Sequence, residues 1–284
     1  MTMDGGRALV LGGGGVAGIA WEAGLVAGLA GRGVDLAAAD VFVGTSAGSV
    51  VGAFLAHGGD LEQAIEIMSA RPDGDPAARP PKPDMDLVMT AFALMYDTTL
   101  EPREARARIG RMARETPTDG RGAALEEIGR RLPSPKWPDR HLLVTGVDAD
   151  DGSFVVWDRD GDASLEAAVR ASCSVPCVFP TVEIGGRHYM DGGVHSMTNA
   201  DLVEGASTVV VLEPLAHFTP RDRLERELKT LGDARTVVVG PDQAAIDAFG
   251  VDVLSMRLWG PGFRAGLAQA PAVAAQVQEV WAGA

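Results

Sequence analysis

Short apolar runs alternate along this chain with longer stretches of helical spacing, and glycine- or proline-rich turns separate them. Arg7-Ala8-Leu9-Val10-Leu11 is an uninterrupted apolar run of strand length that ends in four glycines, Gly12 to Gly15. Residues 16–29 then carry apolar positions at helical spacing. A second run, Asp40-Val41-Phe42-Val43, leads through Gly44-Thr45-Ser46-Ala47-Gly48 into another helical stretch, 49–56. Uninterrupted apolar runs mark strands buried on both faces. Two strand–turn–helix units in succession predict an α/β fold with a mainly parallel central sheet flanked by helices.

The middle of the chain breaks this rhythm. Residues 71–83 contain Pro72, Pro76, Pro80, Pro81 and Pro83 and read as a loop. Helical pieces are expected at 86–96, 101–115 and 121–131, with no sheet strand among them. The α/β pattern resumes at 141–146, which with 153–157 flanks the turn Asp150-Asp151-Gly152 and predicts a hairpin. A helix at 164–172 and a short hairpin over 182–190 lead to Asp191-Gly192-Gly193. Strands follow at 208–212 and 236–239, and an Ala-rich helix at about 271–282. The expectation is one domain over 1–284, with a helical cap inserted at about 71–135.

A G-x-S-x-G turn between strand and helix holds its serine on a sharp elbow, with the hydroxyl projecting into a cleft. Ser46 is therefore a candidate nucleophile. Such a serine needs a base and donors for an oxyanion. The glycines Gly13, Gly14 and Gly15 open a helix, where unpaired N–H groups and the positive helix end converge. The N–H of Ala47, just after the serine, is a further candidate donor. The base is less plain. The five histidines are His57, His141, His188, His195 and His217, and the order Ser46, Asp191, His217 fits a hydrolase triad. Asp191 ends a strand before two glycines, which suits either a base at a sheet end or an ordinary Asp-Gly turn. Asn199 can orient that loop or serve as a plain turn residue.

Competing signals share these residues. Gly13, Gly15 and Gly18 satisfy G-x-G-x-x-G after a strand, with Asp35 or Asp40 as the following acid, so a dinucleotide-binding oxidoreductase is one alternative. A lipid-binding protein without turnover is another. Asp148-Ala149-Asp150-Asp151-Gly152 resembles the start of a calcium loop but lacks the later bidentate Glu. Met85, Met89, Phe92 and Met95 suit either a core or a cap over an acyl pocket.

Composition trims the field. With a formal net charge of −14, the chain lacks the clustered cations that nucleic acid or anionic lipid requires, while apolar contact with a lipid surface remains open. No signal peptide or membrane-spanning run is read. The two cysteines, Cys173 and Cys177, are expected as small buried thiols, which suits a cytoplasmic protein.

Taken in series, Gly13-Gly14-Gly15-Val16-Ala17-Gly18, Gly44-Thr45-Ser46-Ala47-Gly48, Ala171-Ser172-Cys173-Ser174-Val175-Pro176 with Phe179-Pro180, and Asp191-Gly192-Gly193 resemble the patatin-like phospholipases, over about residues 7–212. The resemblance implies a three-layer fold and hydrolysis of lipid acyl esters without a metal or other cofactor. It also implies a Ser–Asp dyad in which Ser46 is the nucleophile, Asp191 the base and the glycine turn the oxyanion hole. Family members often carry Arg or Lys where this chain has Ala17, a departure that leaves the substrate open between a phospholipid and a neutral lipid ester or another acyl donor.

Overall fold

A computed structural model describes residues 3–70 and 82–282. The proline-rich stretch expected as a loop therefore lies, over 71–81, outside the described residues. Strands β1 (Arg7–Leu11), β2 (Val41–Gly44), β3 (His141–Asp148), β4 (Phe154–Trp157), β5 (Val182–Ile184), β6 (Arg187–Asp191), β7 (Thr208–Leu212) and β8 (Arg235–Val239) form one sheet. Its order is β5-β6-β3-β2-β1-β7-β8, with β4 also on β3. The run β3-β2-β1-β7-β8 is parallel, whereas β4, β5 and β6 pair antiparallel.

Alternation along the central strands assigns the faces, since successive side chains point to opposite sides. Leu9, Leu11, Phe42, Leu142, Val210 and Leu212 share one core with helices α1 (Gly15–Ala30), α2 (Ala47–Ala56), α3 (Leu61–Ser69), α6 (Gly122–Arg130), α7 (Leu165–Ser172), α9 (Gln243–Phe249) and α10 (Trp259–Trp281). Ala8, Val10, Val41, Val43, Val209 and Val211 face the other way, onto Leu224 of α8 (Arg221–Thr230). A third cluster joins Ala91 of α4 (Met85–Met95) and Ile109 and Ala113 of α5 (Pro102–Glu115) to Val147 and Met190 of the sheet. The α/β expectation and the mainly parallel sheet hold.

Two differences have plain causes. α3 was not expected, although Leu61, Ala64, Ile65 and Met68 recur at helical spacing and Asp60 caps it by accepting the Glu62 and Gln63 N–H groups. α10 begins at Trp259, well before the expected 271, and carries Pro271 in its interior. Proline ordinarily breaks or kinks a helix. Here burial of Gly262, Gly266, Ala270, Val277 and Trp281 spans both sides of the proline and holds the two halves together.

α1 and α10 touch almost backbone to backbone. A methyl built on Gly24 would lie 2.0 Å from the Phe263 carbonyl oxygen, and one on Gly266 2.1 Å from that of Trp21. The Trp21 indole N–H donates to Gln269 Oε1 at 2.9 Å across the same interface.

β3 makes the arrangement that matters for the site. Its edge toward β4 is occupied from Val144 to Val147. Its other edge pairs β2 up to Val144 and then β6 from Gly146 onward. β2 and β6 thus meet nearly end to end along β3, running in opposite directions. The residue two beyond β2 is Ser46, and the last residue of β6 is Asp191.

Candidate active site

Ser46 has φ 51° and ψ −115°, the left-handed half of the map that a side chain rarely adopts. Such strain costs roughly 1–3 kcal/mol and persists only where the surroundings enforce it. Its N–H donates to Ser172 Oγ at 2.9 Å, and its carbonyl accepts from Ser49 Oγ at 2.6 Å and from Cys173 Sγ at 3.3 Å. The flanking glycines are required by space. A methyl on Gly48 would stand 2.0 Å from the Leu11 carbonyl oxygen, and one on Gly44 2.5 Å from Ser49 Cα.

Asp191 arrives from β6, and its N–H donates to the Ser174 carbonyl at 2.9 Å. The C-terminal end of α7 and the residues just after it therefore grip both residues, Ser46 through Ser172 and Asp191 through Ser174. Asp191 Oδ1 accepts the Gly193 N–H at 2.7 Å. Burial raises its carboxyl from an ordinary 3.8 to about 7, and hydrogen bonds from the Ser46 hydroxyl and the Gly193 N–H offset only part of that rise. Ser46 and Asp191, expected together, are brought together, each 5% exposed.

The glycine turn is less uniform than expected. The Gly13 N–H is committed to the Met197 carbonyl at 2.8 Å, and Gly12 donates to Leu212 O and to Glu22 Oε1. Gly14, Gly15 and Ala47 N–H have no acceptor among the described residues. Gly13 instead gives room: a methyl there would sit 3.6 Å from Ser46 Cβ. Gly15, with φ +58°, turns the chain into α1.

A polar cluster behind the elbow was legible only in part. Asn199, itself left-handed at φ 54°, donates to Thr45 Oγ1 at 2.9 Å and to Ser196 O at 2.8 Å. Thr45 Oγ1 in turn lies 2.9 Å from Thr145 Oγ1 of β3. Asn199 thus ties the elbow to the loop after Asp191. Thr145 and Met197 gave no signal, because each acts on a residue distant in sequence, and Ser172 and Ser174 stood only as letters of a motif without a role. Glu22 is fully buried beneath the glycine turn, and burial holds its carboxyl well above the ordinary range.

The histidines lie elsewhere. His195 donates through Nδ1 to Asn199 Oδ1 at 2.7 Å and stacks on Phe154 at 3.9 Å; burial lowers it to about 4, so it is neutral at pH 7. His217 packs on Phe218 and Phe249, and neither ring nitrogen has a partner among the described residues. The dinucleotide alternative fails on position. Asp40 Oδ2 accepts the Arg7 N–H at 2.8 Å, at the start of β1, whereas the glycines follow its end. Asp35 caps the turn before β2, again at that far end of the sheet. The Asp148 carboxylate is used internally, by the Asp150 and Asp151 N–H groups and by Arg187, so the loop is a turn. Ala17 is fully buried, and its N–H donates to the Val253 carbonyl at 3.0 Å. Both cysteines are free thiols and buried. No helix among the described residues is long and apolar enough to cross a membrane.

Three solved structures are similar in overall course. VipD from Legionella pneumophila is 13% identical, with a TM-score of 0.48, over 96% of this chain and 67% of that one. The type III effector protein ExoU is 17% identical, with a TM-score of 0.44, over 98% and 53%. Full-length ExoU from Pseudomonas aeruginosa, in complex with SpcU, is 18% identical, with a TM-score of 0.35, over 92% and 52%. The chain thus spans about half the length of the ExoU chains it matches. No curated protein sequence matches it. The family model for patatin, described as patatin-like phospholipase, matches residues 9–203, a span that contains the glycine turn, the elbow and the Asp-Gly-Gly loop. The chain belongs to the patatin-like phospholipase family.

Proposed function

We propose that this chain hydrolyses carboxylic esters of lipids with Ser46 as nucleophile and Asp191 as general base. The observation that carries the reading is the buried Asp191 carboxyl, raised to about 7 by burial and placed beside the equally buried Ser46. A base is most effective when its pKa lies near the working pH. Ionised Asp191 takes the Ser46 proton as Oγ attacks the ester carbonyl. The tetrahedral oxyanion is met by the free N–H groups of Gly14, Gly15 and Ala47, at the positive ends of α1 and α2. Loss of one such donor typically costs about 2.7–4 kcal/mol of transition-state stabilisation. Asp191 returns the proton to the departing alcohol, leaving an acyl-Ser46 ester. It then takes a proton from water as the water attacks the acyl carbon, and hands it to Ser46 Oγ as the acyl–oxygen bond breaks, releasing the acid and restoring Ser46.

The helices α4 and α5 are proposed as a cap over this site, within one domain that includes the insertion at 71–135. Substrate reaches it by transient contact with a lipid surface. The buried residue Ala17 leaves no cation on the glycine turn, and the net charge is −14, so the reading favours a neutral acyl ester. The two free thiols suit the reducing cytoplasm.

A fluorophosphonate probe, followed by mass spectrometry of the adduct, tests the nucleophile. Labelling at Ser46 that Ser46→Ala abolishes supports the reading, and labelling elsewhere sinks it. Rates on neutral and anionic lipids test the substrate class, for which a strong preference for anionic lipid would be the contrary result.

A further inference from the structure

One side chain stands beside both glycines that flank the dyad. A methyl built on Gly13 would meet Met197 Sδ at 3.2 Å and Ser46 Cβ at 3.6 Å. One built on Gly193 would meet the same sulfur at 3.1 Å and Asp191 Oδ1 at 3.0 Å. The open faces of two glycines, one beside the serine and one beside the aspartate, are thus both stopped by this thioether. The Met197 backbone adds to the closure, because its carbonyl holds the Gly13 N–H at 2.8 Å.

Beyond Met197 lies a small cavity of about 20 Å³, lined by Tyr96, Gly193, Met197, Thr219, Arg223 and Leu224. It reaches Met197 and Gly193, while Ser46 and Asp191 are not among its lining residues. Ser46 and Asp191 remain only 5% exposed. Met197 thus stands beside both members of the dyad and also lines the cavity. Met197 is itself partly exposed, and methionine is unbranched with three rotatable bonds, so it can move without disturbing the core.

We infer that Met197 is the gate of the active site and a specificity-determining residue: its thioether closes the dyad off from the adjoining cavity, and its size sets how bulky an acyl ester reaches Ser46. The inference rests on the reading of Ser46 as nucleophile. Neighbouring residues hold the gate in place from its own loop. Thr198 and Asn199, next along the chain, are buried and hydrogen-bonded, Thr198 Oγ1 to Glu227 Oε2 at 2.7 Å. The loop ends are therefore fixed, and the freedom lies in the Met197 side chain.

The test compares wild type, Met197→Ala, Met197→Leu and Met197→Phe, using fluorophosphonate labelling rates and kcat/KM on p-nitrophenyl acetate and decanoate. Met197→Ala should raise the labelling rate and should raise the decanoate-to-acetate ratio by about tenfold, in the range a change of a few methylenes produces in an apolar pocket. Met197→Phe should lower both. Met197→Leu, of similar volume, should stay close to wild type and shows that loss of the thioether alone is not the cause. A purely structural role would lower all rates together and leave the ratio unmoved. Labelling at Ser46 in every variant with an unchanged ratio overturns the gate alone. Failure of every variant and of wild type to label at Ser46 overturns the nucleophile reading and the gate with it.

Discussion

Replacing Asp191 by Asn removes a carboxyl that burial holds at about 7 instead of 3.8. The unfolded chain releases this proton near pH 4, whereas the native protein keeps it until about pH 7. Native protein therefore binds more protons across that interval, and stability must fall as pH rises through it. The contribution is fully present below about pH 4 and fully lost above about pH 7. About three pH units at about 1.4 kcal/mol each amount to roughly 4 kcal/mol. Between about pH 5.5 and pH 8.5 only the upper half of the titration is sampled. Wild type should then lose about 2 kcal/mol more than Asp191→Asn. Urea melts of both proteins at the two pH values measure this difference directly. Glu22, also pushed up by burial, is present in both proteins and cancels. Parallel losses would refute the idea that native Asp191 carries a proton near neutrality. The same proton controls catalysis: kcat/KM of wild type should rise with pH through an apparent pKa near 7, and Asp191→Asn should be inactive throughout.

Other substitutions probe separate parts of the structure. His217→Ala should leave kcat/KM within about twofold of wild type; an inactive His217→Ala beside an active Asp191→Ala would replace the dyad with a triad. Asn199→Ala should cost about 2–4 kcal/mol in chemical denaturation, because it leaves buried groups such as the Ser196 carbonyl without their partner. Gly24→Ala places a methyl 2.0 Å from the Phe263 carbonyl oxygen and should lower stability by about 1–3 kcal/mol. An unchanged melting midpoint for Gly24→Ala would show that the two helices can part freely.

The most legible parts were those whose chemistry is local. The strand Arg7–Leu11, its glycines and the elbow at Ser46 are contiguous, so pattern and spacing expose them together. Asp191 was legible as a strand end before two glycines, but its pairing with Ser46 came only through the family resemblance. Their meeting depends on β2 and β6 sharing one edge of β3, a fact of strand pairing that no local pattern records. The grip of Ser172 on the Ser46 N–H spans 126 positions, and that of Asn199 on Thr45 spans 154. The commitment of Gly13 to Met197 was hidden for the same reason. α10 was expected only over its Ala-rich end, while tertiary packing carries it back through Pro271 to Trp259.

The contact between α1 and α10 sets an order of events during synthesis. α1 carries the free amides of the glycine turn at its N-terminus, and α10 lies against it through Gly24 and Gly266. The bond from Trp21 to Gln269 joins positions 248 apart. At the usual pace of translation, roughly 5–20 residues per second, α1 waits roughly 10–50 s for the helix that seats it. During that wait the flank of α1 that α10 covers stays open to solvent. A ribosome-bound chain stopped before α10 should therefore possess the elbow serine in sequence yet lack the seated helix end that receives an oxyanion.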